Sequence, residues 1–155
     1  MRDKRFIAQH RGGPLTKEQH FMLMAWAVRC AEHVLPYYCQ PTDSCLSNAL
    51  NVAKDWAHNK GSVGDARKAA YGIIALTKEL IDPTTVLVAR SVGQAVATAH
   101  MADHSLGAAW YALKAVQSVG NSVEAEFIWQ NKQLPPQIKE LVLSAREAPK
   151  FKIKC

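Results

Sequence analysis

The segment that most constrains the fold is residues 84–119, which contains no proline and is rich in alanine. Its apolar positions recur every three or four residues, which is the period of one face of a helix. They are mostly small: Ala89, Gly93, Val96, Ala97, Ala108, Tyr111, Ala112, Ala115 and Val119. Because small side chains let helices approach closely, we expect this segment at the centre of a bundle. The pattern suits one long helix or two helices that meet near Asp103.

Start and stop signals divide the rest of the chain into further helices. Thr16 and Gln19 have the capping-box spacing, so a helix is predicted to begin there and to end at Pro36. Pro41 and Asp43 are placed to start the next helix. The other boundary signals are Gly61, Ser62, Pro83, Gly120, Ser122, Pro135 and Pro136. The apolar stripe predicted for the helix after Ser62 consists of Val63, Ala66, Ala70, Ile73 and Ile74.

These segments together predict an all-α protein. A chain of 155 residues has the length of one domain. The only strand-like run, residues 86–88, is flanked by residues in helical period. We therefore predict a single-domain helical bundle of about six to seven helices over residues 1–155. Residues 84–119 would form its small-residue-rich central helix or helix pair.

The excess positive charge lies at the two ends of the chain. The formal net charge is +6, yet residues 1–11 and residues 146–155 each hold four basic residues and one acidic residue. Residues 12–145 are neutral, with 11 of each sign. A nucleic-acid-binding surface more typically carries a basic stripe on a structured element. Nucleic acid is therefore not the expected partner, although it stays an alternative, and the ends are expected to be solvated tails, less ordered than the body.

Signals for export or membrane insertion are lacking in the sequence. There is no run of about 18 apolar residues, and the first residues lack the apolar region of a secretory signal. The four cysteines show neither CxxC spacing nor a disulfide framework. We therefore expect a cytoplasmic protein with reduced thiols and no membrane contact. Cys30 falls on the apolar side of its helix and is expected to serve as a small buried hydrophobe.

The densest cluster of reactive side chains comprises His100, Asp103 and His104. In a continuous helix both imidazoles would lie on one face, where they could ligate a metal or transfer protons. The spacing is not that of HExxH, because methionine follows the first histidine. A third ligand would have to come from elsewhere, for example His10 or His33. A small metal-binding protein or enzyme centred on this cluster is the alternative function.

A structural role for these histidines is the favoured interpretation. Hydrogen-bonded imidazoles could hold two helices in register, and Asp103 could be the N-cap of a second helix that begins at His104. In that case His100 and His104 need not share a face. The chain also contains no GxSxG motif and no cysteine with an evident histidine partner. We expect neither a catalytic site nor a bound cofactor or metal.

Two other features could contribute to a binding site. The loop that contains His10, Arg11 and two glycines could cradle an anion through its backbone amides. It matches neither a P-loop nor GxGxxG, so a turn that leads the chain into the first helix is favoured. Trp110 and Tyr111 are adjacent aromatics on neighbouring helix faces, and we expect one of them to be an exposed interface anchor.

Several of these motifs resemble a bacterial family of immunity proteins. They lie at Arg5–Ala8, His10–Thr16, Cys30–Pro36, Val63–Ala70, Gly93–His104 and Gln133–Ile138. The family is the fifth immunity family of polymorphic-toxin systems, with its close relatives. The resemblance covers residues 4–143, which is nearly the whole domain.

The resemblance implies a helical cytosolic protein that protects its producer or kin by binding and silencing a cognate toxin domain. It brings no catalytic residues. The candidate shared pocket consists of His10, Arg11, His33, His100, Asp103 and His104. Inhibitors that cap basic nuclease clefts are often acidic, so this neutral body indicates another kind of toxin or binding away from the catalytic cleft. A homo-oligomer is compatible with the sequence.

Overall fold

A computed structural model describes residues 2–40 and 44–154, and over these residues the chain forms seven α-helices and no strand. The helices are α1 (Lys17–His33), α2 (Ser44–Ala57), α3 (Val63–Thr77), α4 (Pro83–Ala97), α5 (His104–Ser118), α6 (Val123–Lys132) and α7 (Pro136–Ala145). The predicted all-α bundle of six to seven helices is therefore confirmed. None of the described helices is long and apolar enough to cross a membrane.

Several of the predicted helix starts are capped by side chains. Thr16 Oγ1 accepts a hydrogen bond from the Gln19 amide (3.1 Å), and Gln19 Oε1 accepts one from the Thr16 amide (2.9 Å). This reciprocal pair satisfies two amides that the first turn of α1 leaves without helical partners. Ser62 and Ser122 cap α3 and α6 through their hydroxyl oxygens, and Pro83 occupies the first turn of α4. The predicted start at Pro41 and Asp43 lies outside the described residues.

The centre of the bundle is the small-residue-rich segment, which forms the two helices α4 and α5 rather than one. These two helices pack against each other more extensively than any other pair, and α1 packs against both. Ala89, Ala108 and Ala112 are fully buried. Ser91 Oγ donates to the Ala108 carbonyl across the contact (2.8 Å). The predicted central position is confirmed, and of the two predicted arrangements the structure has the helix pair.

The connection between α4 and α5 spans residues 98–103. Thr98 Oγ1 donates to the Gln94 carbonyl (3.1 Å) at the end of α4, a bond by which a threonine competes with the helical hydrogen-bond pattern. Asp103 directly precedes α5, as an N-cap residue would, but its side chain caps no amide of α5. Its carboxylate instead accepts a hydrogen bond from Arg2 (2.5 Å).

Two predictions about exposure are wrong. In the stripe of α3, Ala66 and Ile73 are buried, but Val63 and Ile74 are exposed, because the buried face of this helix is narrower than the run of apolar residues. In the basic carboxy-terminal end, Arg146 is not part of a solvated tail. Only 5% of it is exposed, and its guanidinium lies over the Phe127 ring at 4.3 Å.

Candidate functional site

The N-terminal segment folds back on itself before α1. The Leu15 amide donates to the Ile7 carbonyl (3.0 Å), and the Gln9 amide donates to the Leu15 carbonyl (3.0 Å). A side chain at Gly13 would overlap the Ile7 carbonyl, so only glycine fits there. The two-glycine loop is therefore the turn that leads into α1, which was the favoured interpretation.

This folded segment forms one wall of a cavity of about 260 Å³, here called the histidine–arginine cavity. The polar side chains that line it are those of Arg2, Asp3, His10, Arg11, His20, His100 and Asp103. The first four come from the N-terminal segment, His20 comes from α1, and the last two come from the connection between α4 and α5. The structure thus brings together four of the six predicted pocket residues, namely His10, Arg11, His100 and Asp103.

His20 lines this cavity and was not predicted as a site residue. It is 5% exposed, and its Nε2 donates to the Thr98 carbonyl at 2.6 Å. Burial lowers the pKa of His20, so its imidazole is neutral at pH 7. The signal for its position was available, because His20 precedes Leu23 by three residues and Ala27 by seven, which places it on the buried face of α1.

His100 has an unsatisfied ring nitrogen. An N–H of Arg67 donates to its Nε2 (3.2 Å), and since a guanidinium only donates, the ring proton lies on Nδ1. That buried Nδ1 has no hydrogen-bond partner among the described residues. Burial and the positive charges of Arg67 and Arg11 lower the pKa of His100, which favours the neutral ring.

Two predicted pocket residues lie elsewhere. The His33 ring stacks on Trp129, with ring centroids 3.5 Å apart, and its Nδ1 lies 2.8 Å from a carboxylate oxygen of the buried Glu126. His104 faces the other side of the α4–α5 connection, where its Nδ1 bonds to Gln94 Oε1 at 2.8 Å. His33 is therefore remote from the cavity, whereas His104 lines a second concave surface that His100 also borders.

This distribution bears on the alternative of a metal centre. The Asp103 carboxylate, which could have supported His100 and His104, forms an ion pair with Arg2 instead. Over the described parts of the chain, no three His, Cys, Asp or Glu side chains are grouped so that they could hold a metal ion. The arrangement offers hydrogen-bonding groups and positive charge rather than a set of metal ligands.

A second concave surface lies between α3 and the α4–α5 pair and has a volume of about 460 Å³. We call it the α3–α5 groove, and the lining residues that matter here are Arg67, Tyr71, Ile74, Lys78, Arg90, Gln94, His100, His104 and Tyr111. Tyr71 is 65% exposed and Ile74 is 52% exposed. His100 lines both the groove and the histidine–arginine cavity, so it lies in the wall between them.

The predicted interface aromatics, Trp110 and Tyr111, are both half-buried. Tyr111 lines the α3–α5 groove, and the Arg90 guanidinium lies 5.9 Å from the centre of its ring. Trp110 packs edge-on against Tyr111, with Lys114 5.3 Å from its ring centre. Its buried Nε1 has no hydrogen-bond partner among the described residues.

Comparison with known protein families identifies the family of the chain. A family model described as Imm-5 like putative immunity protein matches residues 13–137. The chain belongs to this immunity family. Searches of the curated proteins and of the solved structures found no match.

The immunity-family match covers the two concave surfaces unequally. All of the residues that line the α3–α5 groove fall inside the matched span of 13–137. The histidine–arginine cavity takes Arg2, His10 and Arg11 from outside that span. The groove is therefore built entirely from the part of the chain that defines the family.

Proposed function

We propose that this protein is a cytoplasmic immunity protein that neutralises a cognate bacterial toxin domain by binding to it. The observation that carries the proposal is the immunity-family match over residues 13–137. Neutralisation by binding requires a protein partner and does not require the immunity protein to catalyse a reaction. The toxin domain would come from a polymorphic-toxin system, as the sequence motifs imply.

The surface of the protein supports a binding role. Exposed tyrosine and isoleucine side chains at Tyr71 and Ile74 lie beside Tyr111, so one face presents aromatic and apolar groups that a partner can bury. Aromatic side chains are common anchors of protein interfaces. Among the predicted interface aromatics, Tyr111 is the better placed, because Trp110 does not line the groove.

Polar side chains of the histidine–arginine cavity are engaged in structural contacts. Arg2 pairs with the Asp103 carboxylate, and His20 donates to a backbone carbonyl, so both groups are engaged in holding the N-terminal segment and α1 against the α4–α5 connection. We propose that the histidine–arginine cavity, with His10 and Arg11 at its edge, mainly supports the fold of the partner-binding domain.

The test is a growth-rescue experiment with co-purification. The toxin domain encoded beside this chain's gene is expressed from an inducible promoter in a bacterial host, with this protein, with an unrelated helical protein at equal level, or with neither. We expect growth to be restored only by this protein, and the two proteins to co-purify as a complex.

The two readouts separate the parts of the proposal. Absence of rescue, together with absence of a complex, would overturn the immunity function. Rescue without any complex would contradict neutralisation by binding, and would direct attention to an activity of the protein itself.

A further inference from the structure

We propose that the α3–α5 groove is the toxin-binding surface and that it receives an acidic segment of the toxin domain. An apolar side chain of that segment would lie against Tyr71 and Ile74, and its carboxylates would pair with Arg67 and Arg90. This inference rests on the proposed immunity function and specifies where the partner binds and what chemistry it presents.

Large apolar side chains are exposed in this concave surface. Tyr71 and Ile74 lie three residues apart on α3, so they share one face of the helix. They are 65% and 52% exposed, and both line the groove. A polar-rimmed apolar surface of this kind marks an interaction site more often than does a single exposed residue.

The charged side chains of the groove are all basic. Arg67, Lys78 and Arg90 line it, and no acidic side chain does. None of these three cations forms an ion pair with an acidic side chain among the described residues. The net charge of residues 12–145 is zero, so the positive charge of the groove is local and does not appear in that sum. Such a surface is complementary to a negatively charged partner.

Both arginines of the groove already contact neighbouring side chains. Arg90 lies over the Tyr111 ring, and Arg67 donates to His100. Arginine pairs with carboxylates through two parallel N–H donors, and less entropy is lost when its position is set beforehand. These two guanidinium groups are therefore positioned to donate hydrogen bonds to carboxylates.

The floor of the groove also depends on a residue without a side chain. A β-carbon at Gly107 would lie 2.5 Å from Gln94 Oε1, the atom that bonds to His104. Glycine at this position lets Gln94 remain where it lines the groove. A larger residue at position 107 would require the end of the Gln94 side chain to move.

Protein is favoured over nucleic acid as the occupant because of the apolar share of the lining. Besides Ile74, the groove is lined by Ala70, Ile73 and Ala97, which suit an apolar side chain better than a phosphate backbone. Single-stranded nucleic acid would instead be expected to track a continuous positive groove with stacking platforms. Binding of an oligonucleotide is therefore an opposing outcome of the test.

The experiment measures the affinity of the full chain for the toxin domain by titration calorimetry. The test variant carries Arg67→Glu and Arg90→Glu. The control variant carries Lys132→Glu and Lys139→Glu, which makes the same charge change at exposed lysines of α6 and α7. We expect the affinity to fall by about 100-fold in the test variant and by less than about 3-fold in the control.

A second pair of variants does not depend on charge reversal. Tyr71→Ala is expected to weaken binding about 10-fold, whereas Ile128→Ala, an exposed residue on α6, should leave the affinity unchanged. Reversal of each toxin Asp or Glu to Lys should identify at least one residue whose change restores binding to the Arg67→Glu, Arg90→Glu variant. Circular dichroism and thermal unfolding check that each variant is folded.

The outcomes separate this inference from the proposed function. If the wild-type chain binds and rescues, but the groove variants bind as tightly as the controls, the groove is not the toxin-binding surface although the immunity function stands. If the wild-type chain neither binds nor rescues, the immunity function itself fails, and this inference fails with it. Displacement of the toxin by a single-stranded oligonucleotide from the groove would also overturn the assignment of an acidic protein segment.

Discussion

Arg146 is 5% exposed, whereas Arg67 and Arg90 in the α3–α5 groove are exposed and meet no acidic side chain among the described residues. The guanidinium of Arg146 donates to Gln130 Oε1 (2.5 Å) and to Asn131 Oδ1 (2.9 Å). An arginine side chain therefore connects elements of the core at position 146, whereas at positions 67 and 90 it remains available at the surface.

The difference shows that burial decides whether a charged side chain contributes to folding or is available for binding. Burial lowers the pKa of Arg146 to about 10, so the group is still charged at pH 7 and its desolvation must be offset by its partners. The Phe127 ring and the two amide oxygens supply that compensation. Arg67 and Arg90 are exposed, so we expect them to contribute little to folding and to be open to burial by a partner.

Replacement of the buried arginine should have the largest effect on stability. We expect Arg146→Met to lower the free energy of unfolding by about 2–4 kcal/mol, because it leaves the buried oxygen of Gln130 without a donor. Urea denaturation measures the change. The control is Lys152→Met, where an exposed lysine makes only a 3.4 Å ion pair with Glu147 and the expected loss is below about 0.5 kcal/mol. Equal stability of Arg146→Met and the wild type would show that the buried charge does not stabilise the fold.

A smaller effect should appear in the pH dependence of stability. Because burial lowers the pKa of His20, the unfolded chain binds the proton more readily, and stability is lost as the pH falls through the ordinary histidine pKa of about 6.5. The variant His20→Gln keeps a donor for the Thr98 carbonyl but does not titrate. Between about pH 7.5 and about pH 5.5, thermal or urea unfolding should show a larger loss for the wild type than for the variant. His100 and His104 titrate in both proteins, so parallel losses would contradict the role given to His20.

The smallest effect is expected at the groove arginines. Arg67→Gln combined with Arg90→Gln should change the free energy of unfolding by no more than about 0.5 kcal/mol, because the two side chains are exposed and lack ion-pair partners. The same urea experiment measures it. A loss of more than about 1 kcal/mol would mean that these arginines stabilise the fold as Arg146 does, and would remove the contrast between the two regions.

The fold could be predicted from the sequence because its main signals are local. The capping box at Thr16 and Gln19, the serine caps, and the proline in the first turn of α4 each act within one helical turn. The central position of residues 84–119 followed from their small side chains. What the sequence left open was whether residues 98–103 continue the helix, and that one point decides where His100 and His104 lie.

The sites were less predictable because they depend on contacts between distant residues. Arg146 belongs to the basic carboxy-terminal segment 146–155, and nothing local indicates that it reaches Gln130 on α6. The contrast with α3 is instructive, since Arg67, Tyr71, Ile74 and Lys78 recur at helical spacing. That pattern is a mixed basic and apolar face rather than an apolar stripe, and a mixed face indicates an exposed surface and not a core contact.

The close approach of Gly13 to the Ile7 carbonyl leaves no room for a β-carbon. Every other amino acid carries that atom, so the path of the backbone into α1 depends on a position that has no functional group. Evolutionary change at His10 and Arg11 can therefore alter the chemistry of the cavity while the loop keeps its shape. Substitution of Gly13 would alter the shape of the loop itself. In this segment, substitution is therefore least tolerated at the residue that has no side chain.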